Sequence, residues 1–243
     1  MQILVFDISA PLGHFKVPYT TTSPLTLPIP SKTSLYGMIG AIIGLEKDKY
    51  LKEFQDEVCK IGISVKSPIR KTHIATNLIN TKNVTLFSRM DSSKRAPRSQ
   101  IKIEFIKDSK FRLYFYHSNK IIYDKLKKNL SEHKSVYSIS FGLSECLANF
   151  EFIGEFNLSL VSKNENWCSI ESILPLENIS KENLDLNETD KKYLRLHIPL
   201  EMKPDRELVK TGDFLVEANS KKIKAKNLDY YLISELNENV VLF

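Results

Sequence analysis

The sequence predicts an α+β fold, with a β-α-β-β-α-β unit of ferredoxin-like order over residues 1–161 and a β-rich extension over 162–243. Three observations lead to it. Apolar and polar residues alternate with the two-residue period of strands near 3–8, 61–65, 101–115 and 148–161. Two stretches, 32–45 and 121–133, follow the capping residues Ser31 and Asn119 and carry apolar residues at helical spacing. With 42% hydrophobic and 26% charged residues, the 243-residue chain has the composition of a folded protein.

Ile3, Leu4, Val5, Phe6 and Ile8 form a short bounded apolar run, the signature of a buried first strand. From 10 to 30 the chain carries Pro11, Pro18, Pro24, Pro28 and Pro30, so neither a helix nor a central strand should continue there. Ser31 is placed to cap a helix in which Gly37, Gly40 and Gly44 make a small-residue stripe. Each glycine costs about 1 kcal/mol relative to alanine, so a strand or another subunit is expected to approach that face closely. A second helix is predicted over 48–58, then a strand through Ile61, Ile63 and Val65. Ile74, Leu78 and Ile79 lead into a polar, basic stretch at 88–100, expected as an exposed projection. Residues 101–117 are predicted to form a hairpin about the turn Lys107-Asp108-Ser109-Lys110. Ile121, Ile122, Leu126 and Leu130 give the next helix its stripe, and 148–161 a strand broken at Gly154. Beyond Trp167 the chain is turn-rich and strand-like, either a small subdomain or strands added to the sheet.

Several function classes are excluded or weakened. Cys59, Cys146 and Cys168 are odd in number and widely spaced, which suggests buried thiols in a reducing cytosol and no zinc site. The first 16 residues lack a secretory pattern, and the longest apolar run has 11 residues against roughly 20 for a membrane span. Phosphate-loop, dinucleotide, zinc-protease, calcium and hydrolase motifs are absent. His14, His73, His117, His133 and His197 show no metal-ligand spacing, so no metal or other cofactor is expected.

Charge is the positive signal. Residues 60–112 hold 13 Lys or Arg and three acidic residues, whereas the rest of the chain holds 22 and 26. A basic segment in an acidic remainder is the footprint of a polyanion-binding surface, although a merely solvated lysine-rich face gives the same count. Lys32, Thr33 and Ser34 open the first helix, where free amides favour a phosphate, but an ordinary cap also explains them. Metal-independent RNA cleavage could use Tyr116, His117 and Lys120, yet Tyr116 and His117 are strand neighbours and should point to opposite faces.

Two blocks, APLGHFKVPYTTTSPLTLPIPSKTSLYGMIGAIIGL at 10–45 and FGLSECLANF at 141–150, cover about a fifth of the chain. They resemble the fifth CRISPR-associated protein family, the RAMP-type subunit of type I Cascade complexes, and most of all its type I-B kind. The resemblance implies a modified ferredoxin-like (RRM-like, RAMP superfamily) domain with an inserted basic β-hairpin thumb near 70–100. It implies a cytoplasmic, non-catalytic subunit in antiviral defence. Such a subunit caps the 5′ handle of the CRISPR RNA, contacts the backbone and large subunits and meets target DNA only indirectly. Matching RNA-binding positions are Lys16, Tyr19, Lys32, Thr33, Ser34 and Tyr36, with Arg89, Lys94, Arg95 and Arg98 in the thumb. One branch of the family processes guide RNA itself, which leaves a metal-independent endoribonuclease as the alternative.

Overall fold

The computed structural model describes every residue except 21, 48, 80–97, 178, 204 and 206. The chain runs β1 (Gln2–Gly13), β2 (Phe15–Lys16), β3 (Thr26–Leu27), α1 (Lys32–Ile43), α2 (Tyr50–Glu53), β4 (Cys59–Val65), β5 (Arg70–Ile79), β6 (Arg98–His117), α3 (Lys120–Ser131) and β7 (Asn149–Asn157). It continues through β8 (Ser159–Val161), β9 (Cys168–Ile170), β10 (Leu174–Pro175), β11 (Leu184–Asp185), β12 (Tyr193–Met202), β13 (Leu208–Glu217), β14 (Ile223–Ala225), β15 (Tyr230–Ile233) and β16 (Glu238–Val240).

The main sheet has the order β4-β6-β1-β7, with β5 added along β6, and every neighbouring pair is antiparallel. It follows that β1 and β4 are parallel and bridged by α1, and that β6 and β7 are parallel and bridged by α3. The predicted β-α-β-β-α-β order is therefore present. β1 is apolar on both faces because both are covered. Leu4, Phe6 and Ile8 share a cluster with Leu35 and Ile39 of α1 and with Leu126 and Leu130 of α3. Ile3 and Val5 meet Tyr114, Leu158, Ile233 and Val240 on the other side.

Four expectations change. Residues 98–117 form one 20-residue strand, not a hairpin, and Asp108 crosses the supposed turn at φ 49. Apolar positions 101, 103, 105, 111, 113 and 115 share one parity, which a continuous strand satisfies. The polar residues mark where β6 changes partner from β5 to β4. β1 runs through Pro11 to Gly13, because the proline falls in the irregularity opposite Asp108 and beyond the end of pairing with β7. The helix expected at 48–58 is a single turn. It ends where Phe54 bends inward, 5.0 Å from the Tyr36 ring and 6.0 Å from that of Phe115. Ile121 is 79% exposed, so the stripe of α3 is Ile122, Tyr123, Leu126 and Leu130.

Ser31 caps α1 as expected, accepting from the Ser34 N–H. The close approach at the glycines comes from within the chain. A Cβ on Gly40 would stand 3.1 Å from that of Tyr50, while Gly44, at φ 77, ends the helix. Further on, Phe243 and Ile61 exchange backbone hydrogen bonds of 3.0 and 3.2 Å, and the Ile173 N–H donates to Ile63 at 2.9 Å. The outer edge of β4 is thereby covered by segments of the C-terminal part of the chain that lie next to its strands.

Candidate nucleic-acid interface

The basic segment does not present all its charge outward. Arg112 donates from Nε to Asp7 at 2.8 Å and from Nη1 to Glu238 at 2.9 Å. Lys66 reaches Glu238 at 2.9 Å, Lys110 reaches Asp7 at 3.0 Å, and the Tyr114 hydroxyl donates to Glu238 at 2.7 Å. Burial alone would raise the Asp7 carboxyl, but Arg112 and Lys110 outweigh it and hold it below the ordinary value. Arg112 and Lys66 hold β16 onto the sheet and Lys110 is held by Asp7 and Glu151, so these cations are engaged within the fold.

Among the described residues, the remaining cations of this segment, apart from Lys60 on β4, gather on the ribbon of β5 and β6. Its register runs from Arg70 opposite Lys107 to Ile79 opposite Arg98, so the side chains of Arg98, Lys102, His73 and Lys71 share one face. Arg70, Arg98 and Lys102 are exposed and have no ion-pair partner among the described residues.

Glu104 fastens the 14–27 segment to the base of this ribbon. Its carboxylate accepts from the Thr26 N–H at 3.1 Å and from Lys71 Nζ at 2.8 Å. Its N–H donates to Pro24 at 3.0 Å, and its carbonyl accepts from His14 Nδ1 at 2.7 Å. Burial pushes the Glu104 carboxyl up, yet Lys71 and the Thr26 amide bring it below the usual value. As a result Lys16, which pairs with Thr26, is held at the base of the basic ribbon, and Tyr19, 85% exposed, lies in the same clamped segment. The two sequence blocks also meet here: the His14 N–H donates to Phe141 at 2.8 Å, and Gly142 at φ 87 lies against the His14 carbonyl, where a Cβ would clash.

The other expected contacts lie elsewhere. Lys32 is 2% exposed, paired with Asp56 at 2.6 Å, and its Nζ sits 5.6 Å from the centre of the Phe243 ring. Tyr36 is buried on Phe54, and burial pushes its phenol far above the ordinary value. Thr33 is buried and Ser34 is bonded to Ser31, so this group forms a helix start and offers no open surface of the kind expected for RNA. Arg89, Lys94 and Arg95 lie outside the described residues; Arg98 is exposed at the start of β6.

His117 is engaged at both nitrogens, accepting from the Asn119 N–H at 2.9 Å and donating from Nε2 to the Glu53 carbonyl at 2.9 Å. Tyr116 lies on the opposite face of β6, against the cluster of Ile3 and Val5. Among the described residues no group of His, Cys, Asp or Glu could hold a metal ion, and no helix is long and apolar enough to cross a membrane. Sequence reasoning missed Glu104. Its one visible signal was a carboxylate, one of two with Asp108, in a strand whose other charged residues are basic.

Residues 3–203 match the family model described as CRISPR-associated protein (Cas_Cas5). No protein of curated function matches the sequence. The fold is shared with a CRISPR protein from Archaeoglobus fulgidus, at TM-score 0.55 and 12% identity over 99% of this chain and 98% of that one. It is shared with a chain of a CRISPR RNA-guided surveillance complex, at TM-score 0.51 and 13% identity over 93% and 92%. A chain of the Type III-B Cmr-beta complex bound to cognate target RNA and AMPPnP gives 0.50 and 10% over 92% and 86%. At these identities the likeness is one of fold.

Proposed function

Since the chain belongs to the CRISPR-associated Cas5 family, and so to antiviral defence, we propose that it is the non-catalytic Cascade subunit that binds and caps the 5′ repeat-derived handle of the CRISPR RNA. In this reading it joins a cytoplasmic complex, contacts the backbone and large subunits, and meets target DNA through them. The observation that carries it is the basic face of the β5–β6 ribbon, with Arg98 and Lys102 unpaired among the described residues and Tyr19 exposed in the segment clamped to its base. Cations for phosphates and an exposed aromatic ring for an unstacked base are what single-stranded RNA requires. Arg89, Lys94 and Arg95, the thumb positions that the family resemblance implies, are proposed as further contacts to the same RNA.

A nuclease reading gains nothing from His117, whose two nitrogens already serve the backbone. Purification of the complex without nuclease should retain one short RNA, and Arg98→Ala with Lys102→Ala should reduce its retention. Loss of no RNA in that double variant overturns the assignment. Cleavage of repeat RNA by the purified chain in EDTA overturns the non-catalytic part.

A further inference from the structure

We propose that the cleft between the start of α1 and the C-terminal strands is a binding site for one unpaired nucleotide whose base carries an exocyclic amino group. The cleft measures about 860 Å3, within the range of small-molecule sites. Its deep wall is Phe214, 1% exposed, and Phe243, whose rings stand 4.7 Å apart. Lys32 is the buried cation of this wall and is held by Asp56.

The polar groups suit a nucleotide. Asp56 lines the cleft and is 44% exposed, and Lys32 and Lys210, at 2.6 and 3.8 Å, leave its carboxylate with acceptor capacity. An acceptor pairs with the amino group of cytosine, adenine or guanine and opposes the carbonyl that uracil carries at that position. The amides of Asn183 and Asn227 supply both donors and acceptors. Lys163 and Lys210 are exposed at the rim, where a single phosphate would lie.

Charge limits the occupant to something small. Asp213, Asp229 and the exposed Glu177 also line the cleft, although Asp213 is bound by Arg195 and His197, and Asp229 accepts from the Lys163 N–H. With Lys32, Lys163 and Lys210 against four carboxylates, a run of phosphates is disfavoured, whereas one phosphate meets the rim lysines. This cleft is separate from the ribbon face and does not need it. The occupant can be a free nucleotide or a base turned out of a bound RNA.

The test titrates the RNA-free chain with 5′-CMP, 5′-AMP and 5′-UMP by calorimetry and saturation-transfer NMR. CMP and AMP should saturate, with UMP at least about tenfold weaker. Ser180→Trp, placed at the exposed rim, should weaken CMP at least tenfold without altering the melting curve. Asp56→Asn should level CMP against UMP. No saturable binding, equal binding of UMP, or indifference to Ser180→Trp overturns the proposal, even where Asp56→Asn fails to fold. Adding a short single-stranded RNA then assigns the source. Displacement of CMP marks a base of the bound strand and co-occupancy a free nucleotide, and both outcomes keep the site. The mononucleotide arm uses no RNA, so its failure and failure of the ribbon reading are distinguishable.

Discussion

Removing the Glu104 carboxylate should loosen the 14–27 segment on the ribbon, while the backbone bonds of residue 104 to Pro24 and His14 remain. In Glu104→Ala the Thr26 N–H, on a residue 1% exposed, loses its acceptor, and Lys71 loses its carboxylate. A hydrogen bond to a charged group contributes about 1.5–3 kcal/mol, and an unsatisfied buried donor costs on the order of 1–3 kcal/mol. The two bonds share one carboxylate, and Lys71 keeps its bond to the Thr26 carbonyl at 2.8 Å, so the effects overlap. A net loss of about 2 kcal/mol is expected, equivalent to a melting shift of roughly 4–8 °C in a chain of this size. Glu104→Gln can retain the Thr26 bond and should lose about half as much. Thermal denaturation followed by circular dichroism measures the shift, and hydrogen exchange at the Thr26 amide localises it. A melting point within about 1 °C of the parent, with Thr26 still protected, refutes the clamp.

The same logic gives four further expectations. Glu238→Ala removes one acceptor each from Arg112, Lys66 and the Tyr114 hydroxyl, while Arg112 keeps Asp7 and Lys66 keeps Glu171. It should cost about 1.5–3 kcal/mol in urea unfolding. Arg98→Ala and Lys102→Ala should each flatten the log-affinity against log-salt slope by about 0.7 for single-stranded RNA, while Lys32→Met leaves that slope unchanged. Tyr19→Ala should weaken RNA binding by about 1–3 kcal/mol, with Tyr19→Phe close to the parent in fluorescence anisotropy. Asp7 and Glu104 titrate below their ordinary values of 3.8 and 4.5, so their stabilisation is complete above those values and is lost as pH falls through the lower folded ones. Melting points should therefore fall on acidification below about pH 4.5, less steeply in Glu104→Gln.

Much of the fold was legible locally. Ser31 and Asn119 cap helices because a side-chain oxygen can reach an amide two or three residues on. The apolar run of β1 reads as buried because it is covered on both faces. The continuous β6 was legible too, in the shared parity of its apolar positions, but the polar residues 107–110 resemble a turn until their partners are known. The helix at 48–58 failed because Phe54 turns inward to the rings of Tyr36 and Phe115, a demand of packing that helical spacing cannot express.

The candidate site divides along the same line. Composition by itself determined that residues 60–112 are strongly basic, and motif order placed the chain in its family. Which cations remain free was decided only by tertiary structure. Asp7 and Glu238 lie 105 and 126 residues from Arg112 and neutralise it, while Lys32, conspicuous at a helix start, is buried against Asp56. Local sequence sets backbone preference and periodicity through short-range sterics. The availability of a charge depends on desolvation and on partners brought near by long-range strand register.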